Sequence, residues 1–139
     1  MLWDESEKRI ASIFGNDDIP DVSSMTLQRY RSYLLQHLEQ GIRLTGREDF
    51  PWEERYVLGH VESEEYEEFK KDNPSYKDLF ELEEIVEESE PEGDLLVRVK
   101  RLSDSKLFTI GLSWLTAADE KSSNFQLLDD FATWVANYV

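Results

Sequence analysis

The chain has 139 residues, with 31 acidic side chains against 15 basic ones, no cysteine and four tryptophans. An apolar share of 40% with 12% aromatic residues is enough for one domain with a real core, so the acidity does not mean wholesale disorder. The missing cysteines exclude disulfides, thiolate zinc sites and thiol nucleophiles, and a net charge of −16 repels nucleic-acid phosphates and anionic membrane surfaces.

No run approaches the roughly 18 apolar residues of a membrane span, and Met1-Leu2-Trp3-Asp4-Glu5 lacks the basic start of a secretory leader. The expectation is a cytoplasmic monomer whose partners are cations or basic proteins, with neither nucleic acid nor membrane. Glu62 to Asp94 carries 15 acids and three lysines, a balance of −12 out of −16. The chain divides into an N-terminal helical region (1–41), an acidic loop and helix (42–77), and a β-meander with a final helix (78–139), all within a single domain 1–139.

Asp4 can cap a short helix with Trp3, Ile10, Ile13 and Phe14 on its apolar side and Gly15 at its end. The loop Asn16-Asp17-Asp18-Ile19-Pro20-Asp21 follows. Ser23 or Ser24 then caps a second helix, in which Leu27, Tyr30, Leu34 and Leu38 recur at helical steps and Gly41 takes the C′ position. Ile42 to Gly46 and Arg55 to Gly59 read as short extended pieces around a loop through which Pro51 forbids a helix. Ser63 caps a third, acidic surface helix with Tyr66 and Phe69 as a thin apolar stripe, stopping before Asn73-Pro74.

Leu79 to Glu88 fits either a helix or a bulged strand. The turn-rich text at 90–94 and 103–106, with alternation through Leu95 to Leu102 and Leu107 to Leu112, favours the strand and a three-stranded meander. Ser123-Asn124-Phe125-Gln126 reads as a capping box opening a last helix, with Phe125, Leu128, Phe131, Val135 and Tyr138 on its buried side. Trp114, Trp134 and Tyr138 belong to the joint between sheet and helix.

Carboxylate clusters direct attention to hard cations, which take six to eight oxygen ligands. Asp17, Asp18 and Asp21 are spaced faintly like a calcium loop but lack its full signature, and Asp-rich turns commonly serve as capping text. Glu48, Asp49, Glu53 and Glu54 flank the rigid Phe50-Pro51-Trp52 centre and form the stronger candidate. The run Glu83 to Asp94 suits weak binding at several points by field alone. His37 and His60 each lack a second His or Cys at ligand spacing, which disfavours zinc or copper. Catalysis finds no motif: there is no G-x-S-x-G or phosphate-cradling loop, and pairs such as Glu53-Glu54 or Asp129-Asp130 arise readily by chance among 31 acids.

The segment from Gly41 through Phe50-Pro51-Trp52, the stretch from Leu96-Val97-Arg98-Val99-Lys100 to Leu107 through Leu115, and the terminal Leu128 to Tyr138 resemble the small acidic calcium-binding proteins of heterocyst-forming cyanobacteria, the CcbP type. The resemblance covers about half the chain. It implies an α+β fold, with N-terminal helices and a C-terminal helix packed on a small antiparallel SH3-like β-barrel or meander, and a calcium (Ca2+) buffering or calcium-linked regulatory role without catalysis. This chain departs from the type by inserting the acidic piece Glu62 to Asp72. Only the loop beside Phe50-Pro51 lies in a matching place, which ranks Glu48, Asp49 and Glu53 above the longer glutamate run. The alternative is an acidic inhibitor or immunity-type module that covers a basic partner surface.

Overall fold

Asp4 starts the first helix through a reciprocal capping box: its carboxylate accepts from the Glu7 amide at 2.8 Å, and Glu7 reaches back to the Asp4 amide. In the computed structural model, which describes residues 4–15, 18–57, 63–90 and 93–138, this helix is α1 (Glu5–Ile13). It ends at Gly15, whose φ of +67° is the left-handed conformation that a C′ glycine adopts without strain. There follow α2 (Ser24–His37), β1 (Arg43–Gly46), a 3-10 turn (Pro51–Glu53) running into α3 (Glu54–Val57), and α4 (Ser63–Lys70). The chain continues through β2 (Phe80–Glu90), β3 (Asp94–Arg101), β4 (Leu107–Gly111), a second 3-10 turn (Leu112–Trp114), β5 (Leu115–Ala117) and α5 (Ser123–Asn137). The fold is α+β.

The ambiguous stretch is strand, and the meander forms as β2-β3-β4. The sheet is antiparallel in the order β4-β3-β2-β1-β5. β2 and β3 pair from Phe80 with Arg101 to Glu90 with Asp94, with register breaks between Leu82 and Glu84 and between Ile85 and Ser89. The first of these breaks explains why Leu82 and Ile85, three residues apart, are both buried: strict alternation would place them on opposite faces.

Four expectations need correction. Arg55 to Val57 is helical rather than extended, because Pro51 sits at the first position of the 3-10 turn, where its fixed φ and missing N–H favour helix initiation; Leu58 and Gly59 lie outside the described residues. Pro51 thus begins a helical segment instead of forbidding one. α2 ends one turn early, with Leu38 already extended at ψ 139°, so Gly41 lies beyond the C′ position in the following turn. The cap of α5 is Ser122, which accepts from the Asn124 amide at 3.0 Å, in place of a box between Ser123 and Gln126.

One apolar core joins α1, α2 and α5 to the sheet. Trp134 is fully buried, stacks on Tyr30 at 5.0 Å and donates its indole N–H to the Pro20 carbonyl at 2.9 Å. Trp114 is half-buried and meets Phe50 edge-on; both tryptophans serve the joint. Burial of each large side chain contributes roughly 1.5–3 kcal/mol. Among the described residues no helix is long and apolar enough to cross a membrane.

Candidate functional site

The acidic α4 region is fastened to the sheet by two polar knots. In the first, Glu53 is fully buried. Its Oε1 accepts from the amides of Tyr76 at 2.8 Å and Phe50 at 3.3 Å, while its Oε2 accepts from the hydroxyls of Tyr66 and Ser75, each at 2.7 Å. Four donors around one carboxylate compensate its removal from water. Burial, with the hydrogen bond to Glu53 second, pushes the Tyr66 phenol up to about 12. In the second knot Arg101, 3% exposed, donates to both oxygens of Asp104 at 3.0 and 2.8 Å and to Asp78 at 3.0 Å. It also donates to the carbonyls of Lys70, Lys71 and Asn73. These bonds tie the end of α4 to β3, and the bidentate bond to Asp104 holds that carboxyl at about 2.

The loop candidates therefore do not converge. Glu53 points inward onto protein donors, Asp49 is half-buried, and Glu48 and Glu54 are exposed. Asp18 and Asp21 are exposed, and Asp17 lies outside the described residues. Among the described residues, no three His, Asp or Glu side chains gather as a cation cage. Asp129 and Asp130, adjacent in sequence, turn to different arginines: Arg47 at 2.9 Å and Arg9 at 2.7 Å. His37 is exposed and lies against the Tyr33 ring, while His60 is outside the described residues.

A different feature gathers charge and apolar surface together. β1 pairs with β2 only at Phe80 and Glu81, with a last backbone bond from the Leu82 amide to the Ile42 carbonyl. Beyond that point α2 lies along the edge of β2, its Arg31 donating to the Ile85 carbonyl at 2.9 Å and Gln28 to the Glu87 carbonyl. Helix side chains thus take the place of a strand, and an edge that would otherwise invite pairing is partly satisfied.

The helix and strand leave a groove of about 760 Å³ between them. Leu34, Leu82 and Ile85 form its buried floor, and Leu35, 53% exposed, stands on its wall. Its rim carries Glu39, Glu81, Glu83 and Glu84 against Arg31 and Lys100. Lys100 is already shared between Glu81 at 3.2 Å and Glu83 at 3.7 Å, and Glu84 meets Arg98 at 3.5 Å. The lining keeps an excess of negative charge over an apolar floor.

Reading the sequence missed the inward turn of Glu53. The available signal was its position three residues after Phe50, where a glutamate can reach back to the N-cap amide. The groove was signalled by the doublet Leu34-Leu35, whose second leucine falls outside the buried stripe of α2. Comparison of the chain with protein-family models, curated proteins and solved structures finds no match.

Proposed function

We propose that this chain is an acidic protein-interaction module whose groove between α2 and β2 receives a basic, partly apolar segment of a partner protein. The observation that carries this reading is the pairing of an apolar floor with a glutamate rim. Leu35, 53% exposed, and the half-buried Leu38 supply apolar area whose burial gives affinity that salt does not screen, and the rim supplies attraction and orientation that salt does screen, over about 8 Å at physiological ionic strength. The strand order, with a 3-10 turn between β4 and β5, supports reading the sheet as an SH3-like barrel that carries the groove on its helical side.

Titration with a synthetic amphipathic leucine–lysine peptide tests the proposal. Saturable one-to-one binding is expected, weakening with salt and falling about tenfold in Leu35→Ser or Glu84→Gln, each a loss of about 1.4 kcal/mol. Binding that is absent at low salt, or indifferent to both substitutions, contradicts it.

The exposed glutamates of α4 and β2 support a second reading, in which surface carboxylates hold calcium weakly, as a buffer. Thermal unfolding in calcium, magnesium and sodium chlorides at matched ionic strength separates the two. A calcium-specific rise favours the buffer, whereas equal rises indicate only screened self-repulsion.

A further inference from the structure

β4 is an end strand of the sheet, and among the described residues no strand pairs with its outer side. The Arg101 amide donates to the Lys106 carbonyl at 2.8 Å, and from there the ladder pairs Val99 with Phe108 and Val97 with Ile110. Bonded positions alternate along an antiparallel ladder, so Phe108 and Ile110 bond to β3 while the N–H and C=O groups of Leu107 and Thr109 point away from it. Edge strands are commonly guarded by charge, proline or a bulge. β4 has none of these: it reads Leu107-Phe108-Thr109-Ile110-Gly111, in unbroken register with β3, and Leu107 is 57% exposed. Phe108 and Ile110 lie on the core side with the fully buried Val97 and Val99, yet are themselves only half-buried, at the rim of the core.

We propose that β4 pairs with β4 of a second copy of this chain, antiparallel about a two-fold axis, and joins the two sheets into a dimer. Charge and register select a second copy as the occupant. From Asp94 to Ala118 the chain carries Arg98, Lys100, Arg101 and Lys106 against Asp94 and Asp104, whereas the whole chain has a net charge of −16, so two acidic copies approach here with the least repulsion. The strand is also its own complement. A pair centred on Phe108 sets Leu107 opposite Thr109 of the second copy on both sides of the axis, where the outward N–H and C=O groups of each meet those of the other. It brings the two Phe108 side chains together across a non-hydrogen-bonded pair, with about 4.5 Å between their Cα atoms. A pair centred on Thr109 would instead lay Leu107 against Gly111, where a Cβ would already stand 2.5 Å from the Asp94 carboxylate. β3 lies between this edge and β2, and the proposal stands apart from the groove reading.

Sedimentation equilibrium of the full chain, from micromolar to millimolar concentration in low and high sodium chloride, tests the pairing. A monomer–dimer equilibrium is expected with a dissociation constant of about 0.1–1 mM, as suits a small interface. It tightens in high salt, where self-repulsion is screened; a basic segment in the groove has the opposite salt dependence, so the two readings fail separately. Thr109→Pro deletes an N–H that points away from β3, and Leu107→Lys puts a guarding charge on an exposed side chain. Each is expected to leave the melting temperature of dilute protein nearly unchanged and to weaken the dimer about tenfold or more. If Thr109→Pro itself lowers the melting temperature, Leu107→Lys decides. A monomer at every concentration in high salt, a dimer that Leu107→Lys leaves intact, or assembly that runs on beyond a dimer overturns the proposal.

Discussion

Replacing Glu53 by alanine removes the acceptor from four donors at once. The amides of Phe50 and Tyr76 are fixed by the backbone and cannot turn elsewhere, whereas the hydroxyls of Tyr66 and Ser75 can rotate. Hydrogen bonds to a charged group contribute about 1.5–3 kcal/mol each, and relief of the carboxylate's desolvation, several kcal/mol, offsets some of the loss. The net cost expected for Glu53→Ala is about 3–5 kcal/mol. Glu53→Gln keeps one oxygen for the two amides and offers an amino group to hydroxyls able to accept, so its cost is about 1–2 kcal/mol.

Urea unfolding reads both. At a slope of about 2 kcal/mol per molar, Glu53→Ala shifts the midpoint down by roughly 2 M and Glu53→Gln by less than half of that. An absorbance titration adds a local check: the phenol at about 12 moves down in Glu53→Gln, because a charged acceptor is lost while burial remains. A cost below about 1 kcal/mol for Glu53→Ala, or equal costs for both variants, refutes the structural role given to this carboxylate. A calcium-dependent stabilisation present in the parent and lost in both Glu53→Ala and Glu53→Gln would return it to the metal ligands.

Three further outcomes follow from the same geometry. Arg101→Lys keeps the charge but loses the planar fork that reaches Asp104, Asp78 and three carbonyls, so urea unfolding should show a loss of about 2–4 kcal/mol. Asp104 has a folded value of about 2, depressed by Arg101, so its contribution is present above the ordinary carboxylate range near 4 and is lost as pH falls from there toward 2. Acid unfolding of Asp104→Asn should lack that portion, and an unchanged acid limb contradicts the pairing. Gly46→Ala would set a Cβ 2.4 Å from the Tyr76 Cα, so a marked fall in melting temperature is expected; a fall within the range of ordinary surface substitutions contradicts the close approach of β1 to residue 76.

Periodicity and caps carried most of the helices and the meander. Asp4, Ser23 and the alternation around Val97 and Val99 are local signals that the packed structure keeps. The Pro51 segment misled because proline ends helices from within yet starts them from the first position, and composition does not say which applies. The candidate site was less legible for a physical reason. Counting carboxylates locates charge, whereas the direction of a side chain is set by tertiary donors: Ser75 and Tyr76 lie more than twenty residues from Glu53 and together draw it inward. The groove likewise depends on where β1 stops pairing with β2, a long-range fact with only the Leu34-Leu35 doublet as its local trace.

Whether the groove between α2 and β2 receives a basic, partly apolar segment is read out by amide chemical-shift mapping of the uniformly labelled chain titrated with the leucine–lysine peptide. Perturbations that follow one binding curve are expected at Arg31 to Gly41 and at Glu81 to Ile85, with little change in the acidic α4. Perturbations centred on Glu64 to Lys71, or spread evenly over every acidic surface, would contradict it and leave charge alone as the source of binding.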